Sequence, residues 1–175
     1  MSTAQVGSLA PDVTVTAFRT DVCPDRSWVD GRPAVLIFHG RENRDVACAV
    51  AQTVRNIYTD ATSVITLSVV DLSMFPRVMR RLVRSDLDRA FDHAAVNLSG
   101  DRDPESHIII IPDHSGEMTR AWGFRDTDRI VSCVVLDADW RVHARTTGTD
   151  NNRDVMRALG QLPACARIGD HDSEP

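Results

Sequence analysis

The sequence predicts an α/β domain, a mixed central sheet with helices on both faces. Three observations carry that reading. Ala34–His39, Ser63–Leu72 and His107–Pro112 are largely apolar runs of strand length, as expected for central strands covered on both sides. Stretches with helical periodicity separate them, which is the pattern of parallel β-α-β units. Ile130–Gly148 reads as two further strands joined at Ala138–Asp139, and a hairpin adds antiparallel strands to the sheet.

Taken in order, Val13–Phe18 alternates and reads as a first strand. Residues 21–33 are rich in turn formers and close with Gly31 and Pro33. After the buried strand Ala34–His39 a helix begins. Asp45 is placed to cap it, and Val46, Val50, Val54 and Ile57 recur at helical spacing as its core face. Ser63–Leu72 returns as the next strand. Ser73 is placed to cap a second helix with Pro76 in its first turn, and Phe75, Val78, Met79, Leu82, Leu87 and Phe91 form its apolar face. His107–Pro112 is the third central strand. Gly116–Phe124 reads as a short helix ending near Gly123, and Asn151–Leu162 as the last helix.

A chain of 175 residues suffices for one domain with its own core, here residues 1–165, followed by a polar tail at 166–175. A net charge of −5 leaves no basic field for nucleic acid, and no apolar run is long enough to span a bilayer, so neither partner is expected. The N-terminal stretch lacks the basic-then-apolar order of a secretory signal, and a cytoplasmic location is expected. Cys23, Cys48, Cys133 and Cys165 form no C-x-x-C pair and no zinc spacing, and the histidines are scattered. We therefore expect no metal site, no cofactor and four free thiols. The sequence sets no oligomeric state, and a dimer is compatible with it. Trp28, Trp122 and Trp140 read as packing residues.

Four short motifs follow one another in a telling order: VGSLAPDVTV from Val6, GRPAVLIF from Gly31, DHSGEMTRAWGF from Asp113 and VVLDADWRV from Val134. They resemble the V-G-x-x-A-P-D-F-x-L opening, the G-K-x-V-V-L-x-F strand, the D-x-x-G-x-x-A-x-x-Y-G-V segment and the F-V-I-D-x-D-G-x-I hairpin of the peroxiredoxin and alkyl hydroperoxide reductase group. The resemblance covers residues 6–148 and implies a thioredoxin-like fold, with redox chemistry at the junction of the first buried strand and its helix. At that junction this chain departs from the pattern. The thioredoxin C-x-x-C would fall on Asn43-Arg44-Asp45-Val46. In the peroxiredoxin P-x-x-x-T-x-x-C, Gly40 takes the proline position, Arg44 the threonine and Ala47 the cysteine, one residue before Cys48. The cis-proline of the thioredoxin fold falls near Val131, and the hairpin glycine on Trp140.

Three functional readings follow. In the first, the domain is no longer a thiol enzyme and binds a small molecule or a protein partner at the old strand–helix corner. His39, Glu42, Asn43, Arg44 and Asp45 would supply its polar groups, with Val131 and Ser132 opposite. Helix geometry leaves peptide N–H groups unpaired there, and Arg44 favours an anionic or carbonyl-bearing ligand. In the second, Cys48 serves a one-cysteine peroxidase or reductase, activated by the helix dipole and by Arg44 one turn earlier. In the third, His39, Arg44 and Asp45 carry acid–base chemistry. The first reading expects His39, loop 41–45 and residues 130–132 to border one cavity. Arg77, Arg80, Arg81 and Arg84 form a basic stripe on the second helix, read as a solvated face partly neutralised by Asp86 and Asp88, or as a dock for an acidic partner.

Overall fold

The computed structural model describes residues 4–20, 31–59, 63–98, 102–148 and 150–166. Cys23 with residues 21–30, the tail from 167 onward, and the side chains of Arg77 and Arg80 lie outside the described residues. In chain order the elements are β1 (Ala34–His39), α1 (Arg44–Ile57), β2 (Ile65–Asp71), a 3-10 turn (Arg77–Met79) running into α2 (Arg80–Val96), α3 (Pro104–His107), β3 (Ile109–Asp113), α4 (Glu117–Ala121), β4 (Ser132–Leu136), β5 (Val142–Thr147), α5 (Asn151–Gly160) and α6 (Pro163–Ala166).

The five strands form one sheet in the order β3-β2-β1-β4-β5. β1, β2 and β3 are parallel, while β4 runs antiparallel to β1 and pairs with β5 as a hairpin. This is the mixed sheet the sequence predicts. All six residues of β1 are buried, because the strand is central and covered on both faces. Leu36 and Phe38 face one core, with Trp122 and Phe124 over the Phe38 ring at 5.9 and 4.8 Å between centroids. Val35 and Ile37 face the other, under α1 and α5. On that second face, α2 packs Val83, Leu87 and Phe91 against Val70 and Ile110. No helix among the described residues is long and apolar enough to cross a membrane.

Four local expectations need correction. Val13–Phe18 is not a strand. It crosses the first face as extended chain, holding Val13, Val15 and Ala17 against the core, with a single ladder-like bond from Phe18 N–H to the Ile110 carbonyl at 2.7 Å. Its alternation therefore records one-sided packing. The core face of α1 is Ala47, Val50, Ala51 and Val54, whereas Val46 and Ile57 are 46% and 50% exposed. In α2, Val78 and Leu82 are 90% and 62% exposed, and the buried stripe starts one residue later at Val83. Asn43, not Asp45, precedes α1, and the 3-10 turn displaces Ser73 from any capping role in α2.

The hairpin turn is held by Asp137, whose Oδ1 accepts from the N–H groups of Asp139 and Arg141, both at 2.9 Å. Trp140 there adopts a left-handed φ of 63°. That conformation is costly for a side chain, and the packing of its partly buried indole on the first core offsets it.

The shifted face of α2 gives a direct check. Leu87→Ala should cost about 2–5 kcal/mol in urea unfolding, as for a buried leucine. Leu82→Ala should stay within about 0.5 kcal/mol of the wild type.

Candidate functional site

The strand–helix corner is tied shut by its own backbone. Gly40 N–H donates to the Thr127 carbonyl at 2.7 Å and to Asn43 Oδ1 at 3.1 Å, and Asn43 Nδ2 donates to the same carbonyl at 2.7 Å. Arg41 N–H donates to Asp128 Oδ1 at 3.2 Å, and the Thr127 hydroxyl to Asp71 Oδ2 at 2.9 Å. A Cβ on Gly40 would lie 2.7 Å from the Asp128 Cα, so only glycine permits this approach. The proline that the family pattern places here would lack the donated N–H. Asn43 spends its side chain on this tie and caps no N–H of α1.

His39, the last residue of β1, is buried with both ring nitrogens engaged. Nδ1 lies 2.8 Å from the Gly40 carbonyl oxygen, which can only accept, so Nδ1 carries the proton. Nε2 then accepts from the Ser68 hydroxyl, also at 2.8 Å. Burial pushes the His39 pKa below its ordinary value; the Gly40 bond opposes this and the Arg44 charge adds to it. The imidazole is therefore neutral and fixed in one tautomer.

Beside the corner, between α1 and α2, lies a cavity of about 640 Å³. His39, Arg44, Asp45 and Cys48 all line it, so four of the expected site residues do share one space. Arg41 lines it as well, whereas Glu42, Asn43, Val131 and Ser132 are not in its lining, nor is Ile130, so this cavity does not extend across the corner to residues 130–132. Val131 is in the core under α5, where its carbonyl accepts from Asn151 Nδ2 at 3.0 Å; Ser132 bonds Thr147 across the hairpin at 3.2 Å. Glu42 is exposed. The Asp45 carboxylate is also exposed and stands 3.6 Å from Arg44 Nε, and no hydrogen bond joins it to His39 among the described residues.

Cys48 is half-buried and free. Burial raises its thiol pKa, outweighing the nearby Arg44 and Arg55 charges that would lower it; Asp45 raises it further. The other described thiols, Cys133 and Cys165, are buried, and burial pushes Cys133 up to about 12.

Two lining residues escaped the sequence reading. Ser68 is the one half-buried hydroxyl in the middle of β2, and a serine inside an apolar strand is the signal that could have marked it. Arg55 follows Val54 on α1, seven residues after Cys48 and hence on its face; a charge beside a core position of an amphipathic helix was the visible hint. The apolar floor of the cavity includes Val70, Leu72, Val83, Leu87 and Ile110.

The architecture is the thioredoxin-like fold. A yeast mitochondrial 1-Cys peroxiredoxin superposes with TM-score 0.65 at 13% identity, over 93% of this chain and 78% of its own. A candidate thiol:disulfide interchange protein DsbE from Chlorobium tepidum gives 0.62 at 13% identity, over 90% and 100%. The thioredoxin domain of a thiol-disulfide oxidoreductase from Bacteroides vulgatus gives 0.57 at 9% identity, over 89% and 97%. At such identities the likeness establishes the fold alone. No protein-family model and no curated protein matches the chain.

Two outcomes follow from this geometry. Gly40→Ala should destabilise by about 1–3 kcal/mol, because the clash is with backbone; chemical unfolding reads it. The unfolded chain's imidazole titrates near 6.5 and that of His39 lower. Below neutrality the unfolded state therefore takes up this proton first, and the stabilisation is lost as pH falls. Between about pH 7 and 5 the melting temperature should fall more steeply for the wild type than for His39→Gln.

Proposed function

We propose that this protein is a thioredoxin-fold binding protein without a working thiol centre, which takes a small organic molecule into the cavity between α1 and α2, within one domain spanning residues 1–165. The cavity carries this reading. At about 640 Å³ it has the size of a small-molecule site, and it combines an apolar floor with a few fixed polar groups at one end. The sequence supports it from the other side, since Asn43–Val46 holds no thiol where a C-x-x-C would stand. The corner itself is occupied by its own hydrogen bonds, so binding moves from the corner to the space beside it, where His39, Arg44 and Cys48 still reach.

One observation favours a second reading. Cys48 lines this cavity with two arginines near its sulfur, as a one-cysteine peroxidase or reductase would require. Against it stands the raised thiol pKa, which leaves little thiolate at neutral pH. The acid–base reading lacks a pair, because the exposed Asp45 does not meet the buried His39.

The neutral fluorescent probe N-phenyl-1-naphthylamine tests the cavity. Binding should be saturable, retained in Cys48→Ser and lost in Ala90→Trp, which places an indole in the space; circular dichroism checks that the variant is folded. The wild type should not reduce insulin disulfides in the presence of thioredoxin reductase and NADPH. Insulin turnover that disappears in Cys48→Ser would establish the thiol reading instead.

A further inference from the structure

Arg55 is 8% exposed and lines the cavity, yet its Nε–H has no hydrogen-bond partner. No carboxylate pairs with its guanidinium among the described residues. Its main-chain carbonyl accepts from Arg102 at 3.1 Å, which brings a second positive charge close by. Burial lowers the Arg55 pKa to about 10, so the group stays charged at neutral pH. Cys48, whose thiolate would favour the charged guanidinium, keeps its proton there. A buried guanidinium without a counter-charge is costly, and that cost is offset only when an anion reaches it.

The rest of the lining has the same polarity. Four arginines, Arg41, Arg44, Arg55 and Arg89, face two carboxylates, Asp45 and Asp86. Asp45 lies against Arg44, and Asp86 is shared by Arg41 and Arg89 at 3.6 Å each. With His39 neutral, positive charge remains in excess. The floor is apolar, so the occupant must also bury hydrocarbon.

We propose that the cavity binds an organic acid with an apolar body, its carboxylate paired with the Arg55 guanidinium and its hydrocarbon laid against Val70, Leu87 and Ile110. The planar fork of arginine matches a carboxylate with two parallel bonds, which selects this head group over a neutral hydroxyl. This inference rests on the cavity-binding reading and adds the chemical class of its ligand.

Displacement of N-phenyl-1-naphthylamine from the full chain at pH 7.5 provides the test, with decanoate, decanol and decyl phosphate as competitors. Decanoate should bind roughly ten- to hundred-fold more tightly than decanol, as expected of a charged hydrogen-bonded pair. In Arg55→Met the ratio of the two affinities should fall to near one, and Arg55→Lys should restore part of it. Equal binding of decanoate and decanol to the wild type, while the probe itself binds, would overturn the acid assignment and leave the cavity reading standing. A preference that survives in Arg55→Met would remove Arg55 from the site. Tighter binding of decyl phosphate than of decanoate would overturn the carboxylate. If the neutral probe does not bind at all, the cavity reading falls and this inference with it. Should Arg55→Met fail to fold, Arg55→Gln, which keeps a polar end without the charge, decides: a ratio near one supports the ion pair, and an unchanged ratio excludes it.

Discussion

The structure depends on one constraint, the complete burial of β1. A strand with no exposed face needs a partner on each edge and a layer on each side. β2 and β4 supply the edges, one parallel and one antiparallel. The parallel choice forces a crossover helix, and the next parallel step from β2 to β3 forces another. Both crossovers move in the same direction across the sheet. Because such connections are right-handed, α1 and α2 must lie side by side on one face. The cavity is the gap between those two helices, floored by the residues of β2 and β3 that point to that face. Its position is therefore a consequence of strand order, and His39 reaches it because it ends the strand on which the order is built.

The same burial bears on the Cys48 thiol. A reactive cysteine needs its charged form favoured by exposure, dipole or cations. Cys48 has the cations but sits far enough inside that the loss of water outweighs them. The corner where a thiol would be exposed is instead closed by Gly40, Asn43 and Thr127. That closure relies on an N–H at position 40 and on the missing Cβ. Gly40, at the peroxiredoxin proline position, and Asn43, at the first thioredoxin cysteine position, thus take part in one backbone closure.

Strands were legible in the sequence because a strand buried on both faces writes itself as a continuous apolar run. The positions of α1, α2, α4 and α5 were legible too, whereas the one-turn helices α3 and α6 were not, and the buried faces of α1 and α2 were misread. Alanines carry much of the buried stripe of α1, at Ala47 and Ala51, and part of that of α2, at Ala90 and Ala94. A reading that follows the large residues is therefore drawn to Val46, Ile57, Val78 and Leu82, which face outward. Val13–Phe18 misled for a related reason, since one-sided contact with a core produces alternation whether or not the chain joins the ladder. Motif order pointed to the strand–helix corner, and His39, Arg44, Asp45 and Cys48 line one cavity beside it. Val131 and Ser132 do not join them, because the hydrogen bonds that close the corner cannot be read from residue types. The α2 side of the cavity was invisible for a simpler reason: it lies on a separate helix, Arg80–Val96, reached from Arg44–Ile57 only after the whole of β2.

The proposed ligand class turns on the energetics of burying Arg55. Among the described residues most arginines stand at the surface, where an ion pair contributes little and is screened by salt. Arg55 has left water, so its charge is felt strongly by whatever enters the cavity. A neutral apolar molecule would fill the floor and leave that charge unpaired. A small inorganic anion would pair the charge and leave the floor wet. Only a molecule with both an apolar body and an acidic end satisfies the two halves of the lining together. On the proposed reading, selectivity would come from the distance between Arg55 and the apolar floor, a length set by the packing of α1 and α2 on β2 and β3.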